Sequence, residues 1–213
     1  MRKEAVASMV MEHVHISHGI TKLGADIPSV SLPVGSSCDP NAPCFKKCYA
    51  RRGRFAFRHN KDLLQRNFDI WKESPEQFET DIKIAAFHSR FFRYFSSGDI
   101  PDEAFFAMMV RVAKELPHTQ FLAFTKKGYI VNQYIDEHGE LPGNLHMVFS
   151  AWGNWTQQNP HCFPVAYIRF KNEDSGSIPS SAQQCPKYCG DCVMTGCSCW
   201  DLQKGESVCF TEH

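Results

Sequence analysis

The 213-residue chain has no excess of charge of either sign, with 23 Lys and Arg against 23 Asp and Glu. Without a net field nothing draws the whole molecule onto nucleic acid or an anionic membrane, so any such contact has to be local. It also lacks a long apolar run. Residues 141–168 carry no Asp, Glu, Lys or Arg, but the prolines, glycines, asparagines and glutamines among them exclude a membrane span. Residues 1–13 begin basic and hold no apolar stretch long enough for a signal peptide, since Glu12 and His13 end it early; the expectation is a cytoplasmic protein without a membrane partner. No H-x-E motif is paired with P-C-x2-C, which sets aside a zinc deaminase.

What is present in quantity is cysteine. Ten cysteines in a chain that is 43% hydrophobic and 22% charged belong to a globular protein in which metal ligation explains them better than a disulfide framework does. The central stretch is the loop of residues 36–50, where Cys38, Cys44 and Cys48 stand at C-x5-C-x3-C between an apolar, strand-like run (29–34) and a basic, helix-like stretch from Arg51. A closed zinc site needs four protein ligands, whereas a cubane iron-sulfur cluster takes three thiolates and leaves one iron open. Three local cysteines therefore point to an open [4Fe-4S] cluster, ahead of a zinc staple completed by a distant histidine and of a disulfide with a spare thiol.

Along the chain, His13 and His15 alternate on what reads as a polar N-terminal strand with solvated imidazoles and no acidic or thiol partner nearby. Arg51, Arg52, Arg54, Arg58, Lys61 and Arg66 alternate with Phe55, Phe57, Leu63, Leu64 and Phe68, predicting an amphipathic helix or two over 55–72 with a basic face that either meets phosphate or is solvated. A second helix is expected over 76–86 and an aromatic strand over 91–95, stopped by Ser97, Gly98 and Asp99. Helices over 101–115 and 129–137 then alternate with strands over 120–125, 145–152 and 164–169. Such alternation in units of roughly 30 residues predicts an α/β fold with parallel strands. Ligands collect at the carboxyl ends of such strands. That rule gathers the cysteine loop, the turn at 97–99, Thr125 with Lys126, and Ser150 with Trp152 on one rim.

The tail is the second chemical centre. Cys185, Cys189, Cys192, Cys197 and Cys199 place five thiols in fifteen residues, and C-x2-C is the spacing at which two thiolates reach one metal. Either zinc or a second iron-sulfur cluster fits, with Cys162, Cys209, His161 or His213 as substitute ligands. Residues 171–184, polar and rich in Ser, Gly and Pro, read as the linker, so residues 1–170 are expected to form the main domain and 171–213 the linker and metal-binding tail.

A three-cysteine loop after the first strand, Tyr49 beside its last cysteine and a Gly-acid turn after the second strand together resemble the core of radical S-adenosylmethionine enzymes. The resemblance implies a partial (β/α) barrel and a [4Fe-4S] cluster on Cys38, Cys44 and Cys48. It further implies S-adenosylmethionine held by Ser97, Gly98 and Asp99, Ser150 facing its ribose or carboxylate, and an electron donor as partner. Lys126, Trp152 and Tyr49 would shape the pocket, with Lys126 and Asp99 as the catalytic candidates. The spacing departs from the usual C-x3-C-x2-C, and the turn from Gly-Gly-Glu. At the level of the whole sequence the chain is similar to the phage and bacterial gene product 88 family, through Thr21 to Gly24, Ser31 to Gly35 with Cys38 and Cys44 to Ala50, Ser97 to Asp99, Phe124 to Lys126, and the tail through Trp200 to His213. That family's phage setting implies a nucleotide or nucleic-acid base as substrate. A reading of a different class is a non-catalytic zinc module that binds nucleic acid through the 51–66 basic face.

Overall fold

The computed structural model describes residues 12–19, 23–24, 27–196 and 198–212. Its frame is an eight-stranded sheet of β1 (Ile16–Ser17), β2 (Ser29–Val30), β3 (Phe91–Tyr94), β4 (Gln120–Thr125), β5 (Leu145–Ser150), β6 (Val165–Arg169), β7 (Gln183–Gln184) and β8 (Ser207–Thr211). The strand order is β1-β2-β3-β4-β5-β6-β8-β7. Every pairing is parallel except β1 with β2. From β2 to β6 the spatial order follows the sequence without reversal. The helices are α1 (Arg58–Glu73), α2 (Pro75–Phe87), α3 (Glu103–Glu115), α4 (Gly128–His138) and the short α5 (Cys189–Thr195), with 3-10 turns at Tyr49–Arg51 and Gly53–Ala56. No helix among the described residues is long and apolar enough to cross a membrane.

Side chains alternate across a strand, and here the two faces carry different work. Phe92, Tyr94, Phe121, Ala123, Met147 and Phe149 join the larger core with Trp71, Phe78, Ile82, Phe105, Met109 and Ile130 from α1 to α4. Leu122, Val148, Ala166 and Val208 point the other way, into a smaller cluster with Trp200, Leu202 and Cys189 of the tail. The first face is dense with aromatics: the rings of Trp71, Phe78 and Phe105 meet edge to face at 4.8–5.8 Å between centroids. Deleting such a fully buried ring typically costs about 3–5 kcal/mol.

Periodicity places the helices and strands within a few residues of their observed ends, with three informative differences. The helix expected from Phe55 begins at Arg58, because Gly53–Ala56 first forms a 3-10 turn. His13 does have an acidic partner: its Nδ1 lies 3.0 Å from the buried Asp81 carboxylate of α2, distant in sequence and brought close by the fold. The tail also supplies a strand that the cysteine spacing obscures. β8 pairs with β6 from Val165↔Ser207 to Arg169↔Thr211, so the boundary drawn at residue 170 falls between two neighbouring strands of one sheet.

Asp102 shows how the helical layer is anchored. Its carboxylate caps α3 by accepting from the Phe105 amide at 2.9 Å, and it also accepts from Lys72 Nζ at 2.6 Å and Trp71 Nε1 at 3.3 Å. Burial opposes its charge, but these donors prevail and hold its pKa below the ordinary carboxylate value. A depressed folded pKa gives stability that is present above the unfolded value of about 3.9 and is lost as pH falls through the folded value. Asp102→Ala is predicted to cost about 1–2 kcal/mol in urea unfolding at pH 7. The gap from wild type should narrow below about pH 4; a gap independent of pH would contradict this account of the cap.

Candidate metal and substrate site

At the carboxyl end of the sheet the strand termini are stitched together by short side chains. Ser31, just past β2, accepts the Ser96 and Ser97 amides at its hydroxyl. Ser97 Oγ returns a bond to the Leu32 carbonyl at 3.1 Å, and Leu32 N donates to the Ser97 carbonyl. Ser37, one residue before Cys38, donates to the Pro33 carbonyl and accepts the Asp99 amide at 3.2 Å. Asp99 carries the stitch to β4: Oδ1 accepts from Thr125 Oγ1 at 2.6 Å and from the Ile100 amide, and Oδ2 accepts from the Lys126 amide at 2.8 Å. Burial pushes the Asp99 carboxyl up, while these donors pull it back. Ser97 and Asp99 thus turn their side chains inward, and Gly98 fills the corner between them. Its φ of +83° and the approach of Leu32 O and Ser37 Oγ to 2.7 Å of where a Cβ would stand leave room only for glycine.

Beneath this rim lies a cavity of about 670 Å³, within the range of small-molecule sites. It receives the expected stretches together. Cys38, Cys44 and Cys48 of the loop and Cys185, Cys189, Cys192 and Cys199 of the tail all line it. Cys197 lies outside the described residues. Burial, then the neighbouring thiols and Asp99, push the Cys38 and Cys44 thiols up, and the Lys126 ammonium works the other way at Cys44. Cys38, Cys44 and Cys48 form no disulfide with one another. Among the described residues no three His, Cys, Asp or Glu side chains already form a ligand set for a metal ion. The donor chemistry nonetheless suits a thiophilic metal: the loop contributes three cysteines to one chamber, and no carboxylate of the described tail lines it beside the four thiols except Glu212 at its far end. Of the substitute ligands, Cys209 is buried in β8, Cys162 is exposed and His161 pairs with Asp136 at 3.0 Å; His213 lies outside the described residues.

Tyr49 projects into the cavity. The residue is 59% exposed, and its hydroxyl donates to the Ser96 carbonyl. Desolvation at the hydroxyl end, opposed by the Arg93 guanidinium, pushes the phenol up to about 12. Lys126 sits with Nζ 5.9 Å from the Trp152 ring centroid, and Ser150 opens onto the same space at the end of β5. The basic stretch after the loop is divided. Arg52 and Arg54 line the cavity, whereas Arg58 and Arg66 turn to Asp62 and Glu12 at 3.9 and 3.1 Å, so these four arginines do not form one continuous face.

Sequence reading missed Arg93. It is the only charge in the aromatic strand Phe91–Tyr94 and lines the cavity; a lone arginine inside an otherwise apolar strand was the available signal.

Fold and site together define an α/β protein whose parallel strands end at a cysteine-lined chamber. The chain belongs to the gene product 88 family, whose model matches residues 12–174. The match includes the three-cysteine loop and the rim and stops before the tail cysteines, short of the extent read from the sequence. No curated protein and no solved structure matches the chain.

The steric account of the rim turn is tested by two glycines of similar φ. Gly98→Ala should destabilise the fold by about 2–5 kcal/mol, combining left-handed strain with overpacking. Gly139→Ala, at φ +85° with nothing within 4 Å, should cost only the backbone strain, about 1–3 kcal/mol. Equal losses in chemical denaturation would show that the contacts at Gly98 are unimportant.

Proposed function

We propose that the cavity is the chamber of an iron-sulfur enzyme of the radical S-adenosylmethionine type, built on a partial (β/α) barrel. The observation that carries the reading is that seven cysteines from two distant stretches line one cavity at the carboxyl ends of parallel strands. The architecture supports it: β2 to β6 run in sequence order, and α1 to α4 pack against one face, the single winding from which (β/α) barrels are made. Cys38, Cys44 and Cys48 would hold a [4Fe-4S] cluster with one iron open. Such a cluster, reduced by an external electron donor, supplies the electron that cleaves S-adenosylmethionine and so starts radical chemistry.

The chain's own residues define the rest of the chamber. Because the Ser97 and Asp99 side chains are bonded inward, the turn at Gly98 presents main chain to a ligand, and Asp99 braces Lys126 beside the thiols. Tyr49 and Trp152 provide flat walls for an adenine or a substrate ring, with Ser150 between strand and wall as a hydroxyl partner for ribose or carboxylate. Cys185, Cys189, Cys192 and Cys199, with Cys197, would hold zinc or a second cluster, tying α5 and Trp200 across the open face of the sheet. Tail thiolates facing the same chamber suit a centre that relays electrons as well as one that closes the wall. The substrate is open between a nucleotide and a nucleic-acid base.

Anaerobic purification with iron, sulfide and zinc analysis tests the reading. Wild type is predicted to carry about four irons for the loop cluster and to form 5′-deoxyadenosine from S-adenosylmethionine when reduced. The Cys38/Cys44/Cys48→Ala triple variant should lose those irons and the product while retaining the tail metal. Zinc at both centres with no iron would overturn the enzyme and leave the nucleic-acid-binding zinc module in its place.

A further inference from the structure

Arg93 occupies an unusual position for a guanidinium. It projects from β3 into the cavity, stacked with Cζ 4.3 Å from the centroid of Phe124, whose ring meets Phe210 edge-on. Nε donates to the Tyr94 carbonyl at 3.0 Å, which fixes the plane of the fork. Among the described residues no carboxylate pairs with it and no acceptor bonds its terminal nitrogens. Its side chain is half-buried; desolvation works against its charge, the Cys189, Cys199 and Cys185 thiols and the Tyr49 phenol favour it, and a cation so placed gains most from an anion that meets its fork.

The surrounding charges point the same way. Lys126, Arg52 and Arg54 line the same cavity. Of its three acids, Asp99 is committed to three internal donors, Asp39 accepts the Asn41 amide at 2.8 Å, and Glu212 accepts the Lys171 amide at 3.0 Å. The walls near Arg93 are flat and apolar, formed by Phe124, Tyr49 and Trp200. We propose that Arg93 is the anchor for an anionic oxo group, phosphate or carboxylate, on a substrate with a flat apolar body. A guanidinium held in plane by its Nε bond presents two parallel N–H donors, the geometry that both oxyanions accept. The inference deepens the reading of the cavity as a substrate chamber and rests on it, but Arg93's own role can fail separately.

The test uses the full chain purified anaerobically, with phenyl phosphate and benzoate as probes and benzyl alcohol as the neutral comparator, read by the fluorescence of Trp152 and Trp200, which line the cavity. Wild type should bind at least one anion more tightly than the alcohol, and the preferred anion distinguishes phosphate from carboxylate substrates. Arg93→Gln should weaken that anion by about tenfold to a hundredfold, the usual worth of a charged hydrogen-bonded pair, without changing the alcohol. Arg93→Lys should fall between, since it keeps the charge and loses the fork. Metal content and thermal midpoint are measured on the same preparations to show that the variants are folded. Unchanged anion affinity in Arg93→Gln, or no saturable anion binding by wild type, overturns the proposal. So does loss of the tail metal with anion affinity intact, because Arg93 would then serve the cysteines. A chain without iron overturns the enzyme reading alone, and the fluorescence result still decides for or against Arg93.

Discussion

The arrangement of the site depends on one buried carboxylate. Asp99 receives the Thr125 hydroxyl and the Lys126 and Ile100 amides, while its own amide donates to Ser37 beside the cysteine loop. Three consecutive parallel strands are thereby fixed at their carboxyl ends. The root of the loop, the glycine turn and Lys126 hold their relative positions because of these bonds, each made in a site from which water is largely excluded and where an unmet partner is costly. An acid at this place first reads as a ligand group. In the fold it is the brace on which the candidate ligand groups are mounted.

The same economy explains the division of the sheet. One face is given to helices and a dense aromatic core, which secures the strands without help from any metal. The other face is left to a cavity and to the tail, and there the packing is thinner: Trp200 reaches across to donate to the Gln120 carbonyl at 3.1 Å and meets Phe91 edge-on, with cysteines forming much of the remaining cover. A metal held by the tail would therefore stabilise the wall of the chamber as well as serve any redox role. Joining of β8 to β6 makes that wall part of the sheet.

Much of this was legible before the structure. Alternating helix and strand periodicities, with punctuation at Gly98, Gly128, Gly139 and Gly143, are local signals, and they placed the elements. The rule that ligands gather at strand carboxyl ends brings together residues far apart in the chain: the loop cysteines, Ser97 to Asp99, Lys126, Ser150 and Trp152 line one cavity, whereas Thr125, Cys162, Cys209 and His161 do not. What sequence left hidden was contact made across the fold. His13 finds Asp81 only because the residues just before β1 lie against α2, and the inward bonding of Ser97 and Asp99 depends on where β2 and β4 end. β8 was obscured because Cys209 was weighed as a ligand, although it is a buried strand residue between Val208 and Phe210. Arg93 stands in a strand of aromatics whose composition speaks of packing, and only the fold shows that it lines the cavity.

Under the proposed function, two groups of cysteine thiols, one from the loop and one from the tail, would hold metal at a single chamber. Anomalous diffraction from anaerobically grown crystals, recorded on either side of the iron and zinc edges, tests it most directly. The account predicts an iron signal at Cys38, Cys44 and Cys48 and a separate iron or zinc signal among the tail cysteines, both at the cavity. Metal-free thiols at the loop in protein that was never exposed to oxygen would contradict it.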